Sequence, residues 1–205
     1  VVVTTPTEEG ALCINGMSHA ARSGRFANSA MVVTVTPDDF AKEGFHGGFA
    51  GVEFQRQCET RAFERGGGSF QAPSLRVTDY VAGRVSQDLP DTSYRRGLMT
   101  APLDGIYPDY VDASLREALA VFDRKLPGFI SSEAKLIGVE TRTASPIRIQ
   151  RDKQTLQANG IAGLYPVGEG MGYGGGIASA ALDGIRSAEA LLQALGASPE
   201  EVVQG

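Results

Sequence analysis

Residues 163–192 read Gly-Leu-Tyr-Pro-Val-Gly-Glu-Gly-Met-Gly-Tyr-Gly-Gly-Gly-Ile-Ala-Ser-Ala-Ala-Leu-Asp-Gly-Ile-Arg-Ser-Ala-Glu-Ala-Leu-Leu. The apolar run 164–167 predicts a short buried strand. Six glycines within 168–176 follow, then Ile177, Ala180, Ala181, Ile185, Ala188, Leu191, Leu192 and Leu195 recur at helical spacing. Strand, glycine loop and helix start together suit an electron-rich ligand. Glycine lets backbone N–H groups approach closely, and the first helical turn carries free N–H groups and the positive end of the dipole. Tight packing of a strand-to-helix turn is the competing explanation, but each glycine raises the entropic cost of folding, and six exceed what a turn needs. Gly170–Gly175 spells G-x-G-x-x-G, but the loop as a whole, with six glycines in nine residues, differs from the dinucleotide fingerprint, and it is not a P-loop, since no Lys-Ser/Thr follows.

Working outward, the 205 residues suit one large or two small domains, with 42% apolar and 21% charged residues, an ordinary globular balance. No apolar run is long enough for a membrane span and no signal peptide opens the chain. The net charge of −5 counts against a nucleic-acid surface, which needs clustered Lys and Arg. Cys13 and Cys58 do not make a disulfide framework; their apolar or helical settings predict buried, reduced thiols, as in the cytoplasm. Two histidines and no Cys/His cluster argue against zinc. The start at Val1, in what reads as mid-strand, suggests a fragment of a longer protein.

Two strands are expected at residues 1–5 and 11–14, joined by the turn Pro6-Thr7-Glu8-Glu9-Gly10, and a third at 31–36 from its β-branched run. Phe54, Cys58 and Ala62 predict a helix over 51–65, with Arg56, Glu59 and Arg61 facing elsewhere. Gly66-Gly67-Gly68 then reads as its C-terminal stop, since a helix C-terminus repels anions. A short helix is expected at 74–82, an extended surface segment at 89–105, and a helix at 110–126. Period-two alternation returns at Ile137 and Val139 and again at Ile147 and Ile149. Between them, 141–146 is polar on both faces, which fits either a cavity wall or a solvated edge strand. His19 and Tyr173 are candidates for proton transfer, although a lone loop histidine, His19 or His46, is more often solvated or structural. The order of elements predicts a mixed α/β (α+β) fold in which 1–30 and 136–205 form one body and 31–135 is an inserted domain.

Several stretches carry a resemblance. They are Asn15-Gly16-Met17-Ser18 with Ala27-Asn28-Ser29-Ala30, Gly51-Val52-Glu53-Phe54-Gln55-Arg56, Ala118-Leu119 with Phe122-Asp123-Arg124-Lys125, the run 138–149, and 163–170. In these the chain resembles the C-terminal half of FAD-dependent flavoproteins of the uncharacterised-dehydrogenase type, in the two-dinucleotide-binding-domain group. The resemblance implies an FAD site assembled from this chain and a missing N-terminal half, acting on a small-molecule substrate, with 31–135 on the substrate side. It places Gly168, Glu169, Gly170, Gly172, Tyr173, Gly174, Gly175, Gly176 and Ile177 against the cofactor, Glu169 toward the ribityl or pyrophosphate region and 174–177 toward the flavin pyrimidine edge. Arg142, Thr143 and Ser145 would line the flavin or substrate cavity, Arg142 being able to grip a carboxylate. The fingerprint for the ADP half of FAD is absent here, so the chain alone is expected to bind FAD weakly or not at all and to be inactive. The reading from another class is a non-catalytic small-anion-binding or structural domain.

Overall fold

The computed structural model describes residues 1–5 and 8–197. Pro6 and Thr7 of the expected first turn lie outside them. The described residues show the expected mixed α/β character, with five α-helices and two small sheets. They fall into two compact units, Val1–Thr141 and the residues from Arg142 onward. The stretches 1–30, 31–135 and 136–141 all lie in the first unit; an insertion within a longer chain is a proposal about that longer chain.

In the first unit, β1 (Val2–Thr5) and β2 (Cys13–Gly16) form an antiparallel pair with Thr5 opposite Cys13. The pair is sewn into the unit by backbone bonds from Leu12 N–H to the Glu59 carbonyl (3.0 Å) and from Ile14 N–H to the Val139 carbonyl (2.8 Å). The second sheet has the order β4-β3-β5, where β3 is Ala72–Arg76, β4 is Leu98–Thr100 and β5 is Lys135–Ile137. β3 runs parallel to β4 and antiparallel to β5. The unit also holds helices α1 (Pro37–Lys42), α2 (Ala50–Arg65), α3 (Val77–Val81) and α4 (Asp109–Lys125); α2 and α3 pack on β3, α1 on α2 and α4 on α3. α4 forms where the apolar spacing predicts it, with Asp109 and Asp112 in its first turn and Arg124 and Lys125 in its last, both favourable to the helix dipole. Leu12, Ala62, Leu75, Ile106, Leu119 and Val139 meet in the core. Leu12 is fully buried, so Leu12→Ala is expected to cost about 2–5 kcal/mol, read as a lower urea midpoint.

Four expectations in this unit are corrected. Residues 31–36 are extended, with Met31, Val33 and Val35 half-buried, but no strand lies alongside, so no ladder forms. β propensity needs a partner. Residues 74–76 complete β3, and the helix begins only at Val77, because pairing on both edges outweighs the helical spacing of Leu75 and Tyr80. The segment 89–105 is not a surface strap: it supplies β4, and Tyr94 is buried with its hydroxyl donating to the Phe70 carbonyl at 2.7 Å. Glu59 does not face away. It is 2% exposed and accepts from the Thr141 hydroxyl at 2.6 Å, while Gln55 Nε2 donates to the Thr141 carbonyl at 2.7 Å.

The second unit holds a 3₁₀ turn, Glu169–Met171, and α5, Ile177–Ala194. The expected strands at 147–150 and 164–167 are absent; Arg151 and Ala158 make a lone antiparallel bridge instead. Leu164 and Val167 are exposed. Their apolar character reads as burial in the sequence, yet this unit supplies no sheet to receive them.

Candidate functional site

The glycine loop is held from beneath by one ion pair. Arg151 and Asp183 are nearly buried, with side chains 8% and 12% exposed. Arg151 Nη1 donates to Asp183 Oδ2 at 3.1 Å and to the Pro166 carbonyl at 2.6 Å. The Gly168 N–H donates to the same Asp183 oxygen at 2.9 Å. Both ends of 166–168 are thereby tied to the helix. The Asp183 carboxyl is held below its ordinary pKa, chiefly because Arg151 donates to it; burial opposes the shift, and the Gly168 N–H adds to it.

Tyr173 is the second anchor. The guanidinium of Arg151 sits 3.6 Å from its ring centroid and that of Arg148 4.5 Å. Its hydroxyl donates to the Ile149 carbonyl at 2.7 Å. The candidate proton donor is therefore already engaged as a brace. Ser145 Oγ lies within hydrogen-bonding reach of the Ile147 carbonyl (2.9 Å) and the Gly170 carbonyl (3.1 Å). It thus joins the polar stretch after the first unit to the glycine loop. Arg142 and Thr143 are exposed. Glu169 and Gly170 are exposed in the 3₁₀ turn. His19 and His46 are exposed in loops of the first unit.

The glycines divide into two kinds. At Gly172 (φ +84°) an added Cβ would meet the Ile147 carbonyl oxygen at 2.7 Å and Arg148 Cα at 2.9 Å, and at Gly174 it would meet Ala180 at 3.1 Å. Packing demands these two. At Gly170, Gly175 and Gly176 an added Cβ meets nothing within 4 Å, and none of the three has a positive φ that excludes a side chain. The fold leaves them unexplained.

Gly175 and Gly176 stand at the start of the 18-residue α5, whose first turn has no acidic residue and no side-chain cap on the helical N–H groups. Ser179 Oγ accepts from Gly175 N–H at 3.1 Å, just outside the helix. Ile177 is 94% exposed. A bare N-terminal turn approached over glycine backbone fits a flat, electron-rich or anionic group. FAD meets that description, and residues 174–177 would be the ones to hold it. Among the described residues, no group of three or more His, Cys, Asp or Glu gathers as a metal site.

Residues 1–143 match the family described as FAD-dependent protein, C-terminal domain-like. The chain belongs to this family. It is also 45% identical over 195 residues to a protein of Clostridium beijerinckii described as an uncharacterized protein, covering 94% of this chain and 36% of the relative. The chain therefore spans about a third of that relative's length. The family match ends at the boundary between the two units, before the glycine loop; the similarity to the Clostridium protein is long enough to include the loop.

The remaining nucleophiles offer no alternative chemistry. Cys13 and Cys58 are buried free thiols, and burial pushes Cys58 up to about 12, which keeps it protonated and unreactive at neutral pH. No helix among the described residues is long and apolar enough to cross a membrane. Sequence reasoning missed Arg151 and Asp183. The available signal was a lone carboxylate inside the apolar stretch Ala181-Leu182-Asp183-Gly184-Ile185.

Proposed function

We propose that this chain is the C-terminal part of an FAD-dependent oxidoreductase of dehydrogenase type, in the two-dinucleotide-binding-domain group, acting on a small-molecule substrate in the cytoplasm. Membership of a family of FAD-dependent proteins supports the cofactor. The observation that carries the reading is the uncapped α5 N-terminus behind Gly175 and Gly176, glycines that packing does not require.

FAD, when bound, supplies the hydride chemistry. The chain's own part is to bind and orient. The N–H groups of the first turn of α5 give a fixed positive field at the flavin edge, and Gly174–Ile177 let the backbone come close. Glu169, exposed one turn earlier, would accept from hydroxyls of the ribityl region. Arg142, Thr143 and Ser145 would border the cavity, with Ser145 also fixing the loop through Gly170. Arg151 and Asp183 position the loop without touching the cofactor. The missing N-terminal half of the longer protein would supply the ADP-binding fingerprint and cover the apolar side of α5, where Leu182, Ile185 and Leu195 are exposed.

Two measurements test this. The longer protein, purified and supplied with FAD, is expected to hold one flavin per chain; a colourless preparation contradicts the reading. The 205-residue chain alone, titrated with FAD, is expected to show weak or no binding because its literal G-x-G-x-x-G run, Gly170–Gly175, follows no strand and opens no βαβ unit among the described residues. Tight, stoichiometric binding by this chain would overturn that division of labour.

A further inference from the structure

The first unit contains a cavity of about 660 Å³ that the flavin reading does not use. Its floor is core: Ile14, Val77, Leu103, Ile106, Leu119 and Val139 are all buried and all face it. Its roof is the irregular run 25–31, which has no regular secondary structure. Well-packed interiors leave few voids larger than a water molecule, whereas ligand sites span about 300–1,000 Å³ and are mainly apolar with a few placed polar groups. This cavity is of the second kind.

Its rim is built rather than loose. Asn28 Nδ2 donates to the Met17 carbonyl at 3.2 Å, and a Cβ on Gly16 would lie 2.3 Å from Asn28 Oδ1. Asn15-Gly16-Met17-Ser18 and Ala27-Asn28-Ser29-Ala30 therefore interlock, and Gly16 with 27–30 lines the opening. The roof is further tied by Arg25 Nη2 to Asp91 at 2.9 Å and by Lys135 Nζ, which donates to the Asp91 carbonyl at 2.6 Å and stacks over Phe26.

The polar groups facing the cavity set its chemistry. Both cations, Arg25 and Lys135, are engaged with Asp91. Three carboxyl residues remain, of which Glu133 is exposed. Asp112 accepts from the Tyr80 hydroxyl at 3.0 Å. The Glu140 carboxyl makes no hydrogen bond or ion pair among the described residues. Three carboxyls against two cations already held by Asp91 make the lining acidic, which disfavours a further negative charge in the cavity.

We propose that this cavity binds a predominantly apolar small molecule bearing a hydrogen-bond donor such as an amine or hydroxyl, with Glu140 accepting that hydrogen bond, and that it rejects anionic analogues. The site is independent of flavin and is tested without it.

The 205-residue chain is titrated with N-phenylnaphthylamine, an uncharged diarylamine, and with its sulfonated counterpart, anilinonaphthalene sulfonate. The neutral dye is expected to saturate at one per chain, and the sulfonate to bind at least about tenfold more weakly. Leu115→Trp, which puts the chain's only tryptophan into the cavity, is expected to emit at blue-shifted wavelengths and to lose the neutral dye. Ile185→Glu, on the exposed side of α5, is expected to leave binding unchanged. The proposal is overturned by absent binding, by equal binding of both dyes, by retained binding beside a blue-shifted tryptophan, or by loss of binding in Ile185→Glu. If Leu115→Trp unfolds, the two-dye comparison on the unsubstituted chain decides.

Discussion

In the longer flavoprotein, Gly175→Val is expected to empty the flavin site while leaving the fold intact. An added Cβ at 175 meets no protein atom within 4 Å, so the variant should fold with its stability essentially unchanged. The same open space is where the proposed cofactor approaches α5, and a branched side chain there takes the place of the flavin edge. Occupancy should fall by at least about tenfold, equivalent to roughly 1.4 kcal/mol. Gly172→Val provides the contrast: its side chain strikes the backbone of Ile147 and Arg148 at a positive φ, so it should lower stability as well as flavin content. Flavin absorbance per chain and the urea midpoint separate the two effects. Full occupancy in Gly175→Val would remove the loop from the flavin site.

The second large effect belongs to Asp183. Replacing it with alanine leaves Arg151 nearly buried without its carboxylate and takes the acceptor from Gly168 N–H. Removing one partner of a buried pair costs about 3–5 kcal/mol, because the surviving charge has no compensation. Amide exchange across 142–197 should therefore accelerate in Asp183→Ala, while exchange in the first unit is unchanged. Uniform protection in both units would show that the pair does not hold the loop. The pH dependence follows in sign. Asp183 has a depressed folded-state pKa, so its contribution is fully present above the usual 3.8 and is lost as pH falls through the lower folded value. The unsubstituted chain should lose this stabilisation as pH falls below 3.8, and Asp183→Ala should lack that acid-dependent step.

What the sequence disclosed and what it withheld follow from the range of the interactions. α2, α4 and α5 were legible because their apolar residues repeat over many turns and end at glycine or proline. The β1–β2 pair was legible from its turn residues. Val32-Val33-Thr34-Val35 has the composition of a strand but lacks a neighbour, and no local pattern reports an absent neighbour. β3 was misread because its partners lie over twenty residues away at Leu98–Thr100 and sixty away at Lys135–Ile137. The glycine loop was visible as composition. That packing demands Gly172 and Gly174 but not Gly175 and Gly176 required knowing where Ile147, Arg148 and Ala180 come to rest. Glu59, Arg151 and Asp183 were invisible as a class, since a charged residue inside an apolar face reads as outward-facing until its partner is located.

The most direct test of the central claim is the visible spectrum of the longer protein beside that of its Gly175→Val variant, each purified after incubation with FAD. A flavin spectrum at one equivalent per chain, bleached on reduction and missing from the variant, is the predicted result. A longer protein that never acquires flavin colour, or a variant as yellow as its parent, would contradict the account.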